Sequence, residues 1–189
     1  IDNTTATPYL VRPIEWGADI VVHSTTKYIG GHGTSIGGAL IDSGKFDWAG
    51  SSRHAEFNTP DPSYHGVVYS SLGALAYILK ARLTLLRDLG SSQSPFNSFL
   101  NIQGLETLHV RLDRHIANAN AVAAYLSTHP AVAWVNHPSL PNYPQQAEVK
   151  RIAPKGLTAL IGFGIKGGRA AGRAFIDNLK LLSHVANIG

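Results

Sequence analysis

The stretch DIVVHSTTKYIGGHG, Asp19 to Gly33, decides how the rest of the chain is read. Its apolar run Ile20-Val21-Val22 reads as a short buried strand, because a glycine stop at Gly17 precedes it and a polar loop follows. The loop then places one lysine, Lys27, after the hydroxyl residues Ser24, Thr25 and Thr26 and before Gly30, Gly31 and Gly33. Short hydroxyls and backbone N–H groups suit a phosphate, and glycines let a chain bend close to a bulky group. An amine carried past the carboxyl end of a strand lies where α/β sheets bind ligands. A lone lysine beside Ser and Thr is otherwise an ordinary solvated loop residue.

Working outward, TSIGGALIDSG reads as the next strand, weakened by Gly37 and Gly38. Strands with helices between them predict an α/β layer. Leu72, Leu75, Leu79, Leu83 and Leu86 are spaced as one amphipathic helix ended by Gly90. Ser94-Pro95 reads as an N-cap with proline at the first helical position, opening a short helix toward Ile102. Leu105, Leu108, Leu112, Ile116, Ala119, Ala123 and Leu126 form one stripe, stopped by His129-Pro130. AVAWVNH and LTALIGFGI read as strands, HPSLPNYPQQ as a loop, and Arg169 to Leu182 as a helix. A boundary near residue 110 separates an α/β first part, 1–110, from a smaller α+β part, 111–189.

With 44% hydrophobic residues in 189, the chain can bury a sizeable core. No apolar run reaches the ~18 residues of a membrane helix, and IDNTTATPYL lacks the regions of a signal peptide. A formal charge of +4 comes from scattered basic residues, with no tract suited to nucleic acid. The absence of cysteine excludes disulfides and thiolate metal sites and fits a reducing cytoplasm. The chain opens on Ile1 and holds no methionine, which predicts a fragment or a processed product.

Two lysine motifs of other chemistries fail. Ser24-x-x-Lys27 fits the S-x-x-K pattern of serine acyl-enzymes, but neither S-D-N nor K-T-G occurs and the glycines cannot continue a helix. A phosphate-binding P-loop would need G-K-[ST] after the glycines. Nine histidines invite a metal site, yet His23, His32, His54 and His65 lack helical zinc spacing, and His109 and His115 do not share a face. Tyr64, His65 and Tyr69 read either as a substrate entrance or as packing.

The same fifteen residues resemble the lysine signature of the cystathionine-γ-synthase-like, pyridoxal-phosphate-dependent enzymes of cysteine and methionine metabolism. Asp19, Ile20, Ser24, Thr26, Lys27, Tyr28, Ile29, Gly31, His32 and Gly33 carry the match. DNTTATPYLVRPIEWGADIVVHS, SPFNSFLNIQGLETLHVRLDRH, NAVAAYL, HPAVAWVNHPSL and LLSHVANIG resemble family segments in order. GKFDW, DPSYHG and LRDLG most resemble O-acetylhomoserine sulfhydrylases.

The resemblance implies an α/β pyridoxal-phosphate transferase fold, aspartate-aminotransferase-like (fold type I), truncated at both ends. On it, 1–110 is the C-terminal half of the large cofactor-binding domain and 111–189 a partial C-terminal domain. Lys27 is implied as the Schiff-base lysine and proton carrier, Ser24 and Thr26 as phosphate ligands, and Asp2 as the carboxylate facing the pyridine nitrogen of pyridoxal 5'-phosphate. In isolation Asp2 reads as a surface loop carboxylate. The implied reaction converts O-acetylhomoserine and sulfide to homocysteine and acetate in methionine biosynthesis; cystathionine γ-synthase and γ-lyase chemistry are the alternatives. A homotetramer is implied, with the stacking ring, the neighbouring subunit's phosphate ligands and the carboxylate-binding arginine outside Ile1–Gly189. A catalytically inert fragment is the remaining reading.

Overall fold

A computed structural model describes all residues, Ile1–Gly189. The short helix α1 (Thr7–Leu10) and a 3-10 turn (Pro13–Trp16) lead to strand β1 (Ile20–Ser24). Gly17 ends the turn at φ 93°, a left-handed conformation that side-chain-bearing residues rarely adopt. The lysine loop follows at once as a π turn, Thr25–Ile29, and the chain returns in β2 (Gly38–Asp42).

β1 and β2 pair antiparallel, from Ile20 opposite Asp42 to Ser24 opposite Gly38. The expectation of helices between the first strands is corrected here. Only the lysine loop connects β1 to β2, so no crossover is required. The parallel neighbour of β1 is instead the start of the chain. Asp2 bridges Val22 in the parallel sense, with Asn3 N–H donating to Val22 O and Val22 N–H to Ile1 O, both at 2.9 Å.

After α2 (Ala55–Asn58), the leucine stripe is broken rather than continuous. A 3-10 segment (Tyr69–Leu75) turns at Gly73, φ 57°, before α3 (Ala76–Lys80), a π turn (Ala81–Leu86) and α4 (Arg87–Leu89). Gly90 closes the helix in the left-handed region, as its sequence position predicts. Ser94 caps α5 (Pro95–Glu106) by accepting from Asn97 N–H at 3.1 Å. The helix continues past Ile102, so Leu105 belongs to α5 and not to the stripe that follows.

The long helix α6 (Leu108–Thr128) starts after a break at Thr107 and buries Leu108, Leu112, Ile116, Ala119 and Ala123. The proposed boundary near residue 110 falls within its first turn. Beyond it, β3 (Val132–Asn136) pairs antiparallel with β4 (Gly162–Ile165). Helix α7 (Gln146–Ile152) begins where the proline-rich loop HPSLPNYPQQ ends, and α8 (Gly168–Asp177) ends five residues earlier than its pattern suggests.

Two clusters hold these elements. Ala6, Leu10 and Val11 meet Tyr28 of the lysine loop, Leu108, Leu112 and Ile116 of α6, and Ala153. Trp48, Phe57, Tyr69 and Ala76 form the second, with Trp48 stacked on Phe57 at 4.0 Å between centroids. Only 26 of 189 residues are buried, so most elements are covered on one face alone. Phe96, Phe99, Ile102 and Leu105 of α5 stay exposed, the kind of apolar patch that marks an interaction surface.

Candidate functional site

Parallel alignment of Ile1–Asp2 with β1 carries both segments to the same end of the sheet. Thr4 links them there. Its hydroxyl accepts from Ser24 N–H at 2.8 Å, while its own N–H donates to Asp2 Oδ1 at 2.9 Å. Asn3 fixes the turn from behind. It is buried, and its Nδ2 donates to the carbonyls of Thr7 (3.1 Å) and Val11 (2.8 Å). Asp2 is therefore a held residue and not a loose surface carboxylate. Hydrogen bonds from Thr4 push its pKa below the usual carboxylate range, and His23 acts in the same direction.

His23 points to the opposite face of β1 from Ser24 and is buried. Its Nδ1 has no hydrogen-bond partner. Burial pushes the imidazole pKa down, partly offset by Asp2. Burial in the middle of the sheet thus disfavours the charged form of the ring.

The lysine loop is braced on each side of Lys27. Asn101 of α5 is buried and donates from Nδ2 to Thr25 Oγ1 at 3.1 Å; Ser35 Oγ donates to Asn101 Oδ1 at 3.3 Å. Thr26 Oγ1 accepts from Gly37 N–H at 3.0 Å. His32 Nδ1 lies 2.8 Å from Gly30 O and ties the end of the loop to itself. The glycines have a steric reason as well. A Cβ at Gly30 would stand 2.9 Å from Thr25 O and 3.2 Å from Asn101 Oδ1. A Cβ on the left-handed Gly31 would overlap the Arg111 guanidinium.

Lys27 itself departs from helical geometry inside the turn, at φ −89° and ψ −126°. Its Nζ donates to Asn187 Oδ1 at 2.6 Å. The tail that carries Asn187 lies against the loop, since a Cβ on Gly189 would come within 2.6 Å of Tyr28 N. Tyr28 turns inward to the core and meets His115 edge-on at 5.5 Å.

The structure thus brings Asp2, Ser24, Thr26 and Lys27 to one end of β1. Sequence reading missed the residues that hold them: Asn3, Thr4, Asn101, Arg111 and Asn187. Asn187 lies 160 positions from its lysine and carries no local signal. Tyr64, His65 and Tyr69 stand elsewhere. Tyr69 is fully buried and donates to Asp61 Oδ2 at 2.9 Å, with its pKa pushed up to about 12 by burial and then by Asp61. It therefore packs, and lines no entrance. No three metal-ligating side chains converge.

A family profile described as "Cys/Met metabolism PLP-dependent enzyme" matches residues 1–189. Homocysteine synthase of Schizosaccharomyces pombe is 50% identical over 192 residues, covering 100% of this chain and 45% of that protein. O-acetyl-L-homoserine sulfhydrylase of Leptospira meyeri is 49% identical over 199 residues, covering 100% and 45%. The chain spans a little under half the length of these relatives.

Among solved structures, a putative O-acetylhomoserine (thiol)-lyase of Campylobacter jejuni containing N'-pyridoxyl-lysine-5'-monophosphate superposes with TM-score 0.92 at 39% identity. It covers 98% of this chain and 46% of that one. Cystathionine gamma synthase of Xanthomonas oryzae pv. oryzae gives TM-score 0.74 at 34% identity, covering 100% and 40%. The mixed α/β architecture is that of fold type I, over part of its length. A lysine directly after held hydroxyls, a carboxylate on the parallel neighbour and a match over every residue place this chain in the Cys/Met metabolism PLP-dependent enzyme family.

Proposed function

We propose that the polypeptide carrying this chain is a γ-replacement enzyme that converts O-acetylhomoserine and sulfide to homocysteine and acetate. The observation that supports the reading is Thr4, bonded to both Ser24 and Asp2 at the strand end from which the Lys27 loop leaves. The names of the relatives support the substrate class.

The residues present fit pyridoxal phosphate. Among the hydrogen bonds of the chain, none engages the Ser24 hydroxyl or Asp2 Oδ2, and Lys27 Nζ makes one. Bound there, the cofactor would supply an electron sink for the pair left when the substrate Cα loses its proton. Lys27 is the residue that would hold it covalently. Ser24 would donate its hydroxyl hydrogen to the phosphate, and Thr26 would do so by turning away from Gly37. Asp2 remains ionised, because Thr4 depresses its pKa, and so can keep a proton on the pyridine nitrogen. As a free amine, Lys27 would take the proton from Cα and return protons to the substrate carbons. Asn187 Oδ1 offers that amine a partner between these events.

Cystathionine synthesis or γ-lyase chemistry is the second reading, favoured by the likeness to cystathionine gamma synthase. We assign a reducing cytoplasm from the absence of cysteine. The exposed apolar face of α5 supports a homo-oligomer, and the division into 1–110 and 111–189 is kept as a two-domain proposal. A catalytically inert fragment is the alternative reading for Ile1–Gly189 on its own, which spans 45% of the length of its relatives.

The test is product analysis on the complete polypeptide. With O-acetylhomoserine, sulfide should yield homocysteine, whereas cysteine as sole sulfur donor should yield no cystathionine. Cystathionine as the dominant product selects the second reading. Full activity of Lys27→Ala sinks both.

A further inference from the structure

Arg111 stands on the first turn of α6 and belongs to none of the ion pairs of the molecule, which join Arg12–Glu15, His54–Glu56, Arg87–Asp88, Arg151–Glu148 and Arg173–Asp177. Its guanidinium is spent on carbonyl oxygens. Nη1 donates to Tyr28 O at 2.8 Å, and Nη2 to Gly104 O at 2.7 Å and Ile29 O at 3.3 Å. Nε donates to Thr107 Oγ1 at 3.1 Å, which sets the angle of the fork.

Those three carbonyls share one property. Tyr28 and Ile29 end the π turn of the lysine loop, and Gly104 lies in the last turn of α5. The last carbonyls of a helix have no partner within it and form its negative pole. A planar cation with several donors can serve two such ends at once, which a lysine ammonium on a flexible stem does less well. Contacts too tight for any side chain confirm how closely these ends approach. A Cβ on Gly104 would overlap Ile29 O, and one on Gly31 would overlap the guanidinium.

We infer that Arg111 is a positioning residue for Lys27, joining the carbonyl end of the lysine loop to the carbonyl end of α5 so that the amine is presented in one orientation. The inference rests on the proposed role of Lys27. It acts on the backbone immediately after the lysine, while Thr26–Gly37 and Thr25–Asn101 hold the backbone before it. Without the clamp, two carbonyl ends would face each other across Gly30 and Gly31, and the residue between the braces would lose its fixed direction.

Arg111→Met and Arg111→Lys in the complete polypeptide test this. In protein stripped of pyridoxal phosphate, Arg111→Met should speed amide hydrogen exchange over 25–31 by about tenfold or more, while β3 and β4 keep wild-type protection. In the loaded enzyme, the pH midpoint of the violet absorbance should move by about half a unit or more in Arg111→Met and by less in Arg111→Lys. Thr107→Val, which removes the Nε partner together with the 3.4 Å hydrogen bond from Thr107 Oγ1 to Gly104 O but leaves Nη1 and Nη2 in place, should give the same pattern at smaller amplitude and serves if Arg111→Met does not fold. An unchanged midpoint overturns the inference, and so does faster exchange spread equally over β3 and β4. A violet band that persists in Lys27→Ala would instead defeat the cofactor reading, while exchange in the stripped protein would still report on the clamp.

Discussion

The lysine loop and the aromatic cluster around Trp48 are held by different means. In the loop, Thr25, Thr26, Tyr28 and Ile29 each have a directional partner from elsewhere in the chain: Asn101, Gly37 and the Arg111 fork. Around Trp48 the side-chain contacts are mainly rings, beside two hydrogen bonds, Asn58 Nδ2 to Trp48 O and Tyr69 O–H to Asp61 Oδ2. Phe57 stacks on it at 4.0 Å, Tyr77 lies near-parallel at 5.8 Å, and Phe46 tilts against it at 4.5 Å. Hydrogen bonds fix direction, whereas ring packing mainly fixes volume and excludes water. A site that presents one amine needs the first kind of support; a wall of the fold needs only the second.

Substitutions can separate the two. Phe57→Ala should have the largest effect on stability, about 3–5 kcal/mol, as for other buried aromatic truncations. Urea midpoints of the complete polypeptide would measure it. If the comparison holds, the folded fraction of that variant keeps wild-type turnover per loaded site. A matching loss of turnover would mean that the aromatic wall also shapes the site.

Asp2→Asn should do the reverse. Turnover should fall about 10²- to 10³-fold, as when an electrostatic partner of a reacting group is removed, with little change in urea midpoint. Steady-state rates beside melting curves would check it. An equal loss of stability would make Asp2 a structural carboxylate.

The pH dependence of stability sharpens the contrast further. Burial pushes His23, His115 and His137 below their ordinary value, so the folded state binds fewer protons than the unfolded chain as acid is added. Their contribution is complete above about pH 6.5 and is lost as pH falls from there through the folded values. Denaturation midpoints should therefore decline between pH 7.5 and 5.5. His137→Asn should flatten the decline, and an unaltered slope would show that His137 does not titrate with folding.

Ser94→Ala should have the smallest effect, about 1 kcal/mol, from loss of the α5 cap. Because α5 supplies Asn101 and Gly104, turnover should fall only if fraying reaches them. Comparing rates with midpoints in that variant tells how far the support of the loop extends.

Local patterns were legible wherever cause and effect are neighbours in the chain. The Ser94-Pro95 cap, the Gly90 stop and the strand before Ser24 were readable because turn chemistry acts over a few residues. The lysine loop and its carboxylate were found through a resemblance, and the structure adds the reason Asp2 is held: Thr4, two residues on, bonds both it and Ser24. Leu105 was assigned to the wrong helix because its spacing to Leu108 fits one continuous stripe. Thr107 breaks that stripe at φ −104° and ψ 0°, a change of backbone that hydrophobic spacing does not encode. Gly73 likewise cuts the leucine stripe at a positive φ that hydrophobic spacing does not encode. Arg111 and Asn187 reach the loop across 83 and 160 positions, so only the folded chain shows them.

The central claim is that one side chain, Lys27, carries the cofactor. Borohydride reduction of the pyridoxal-phosphate-loaded polypeptide, followed by proteolysis and peptide mass spectrometry, tests it most directly. The account predicts a phosphopyridoxyl adduct on the peptide containing Lys27 and nowhere else. An adduct on another lysine, with Lys27 recovered unmodified, would contradict it.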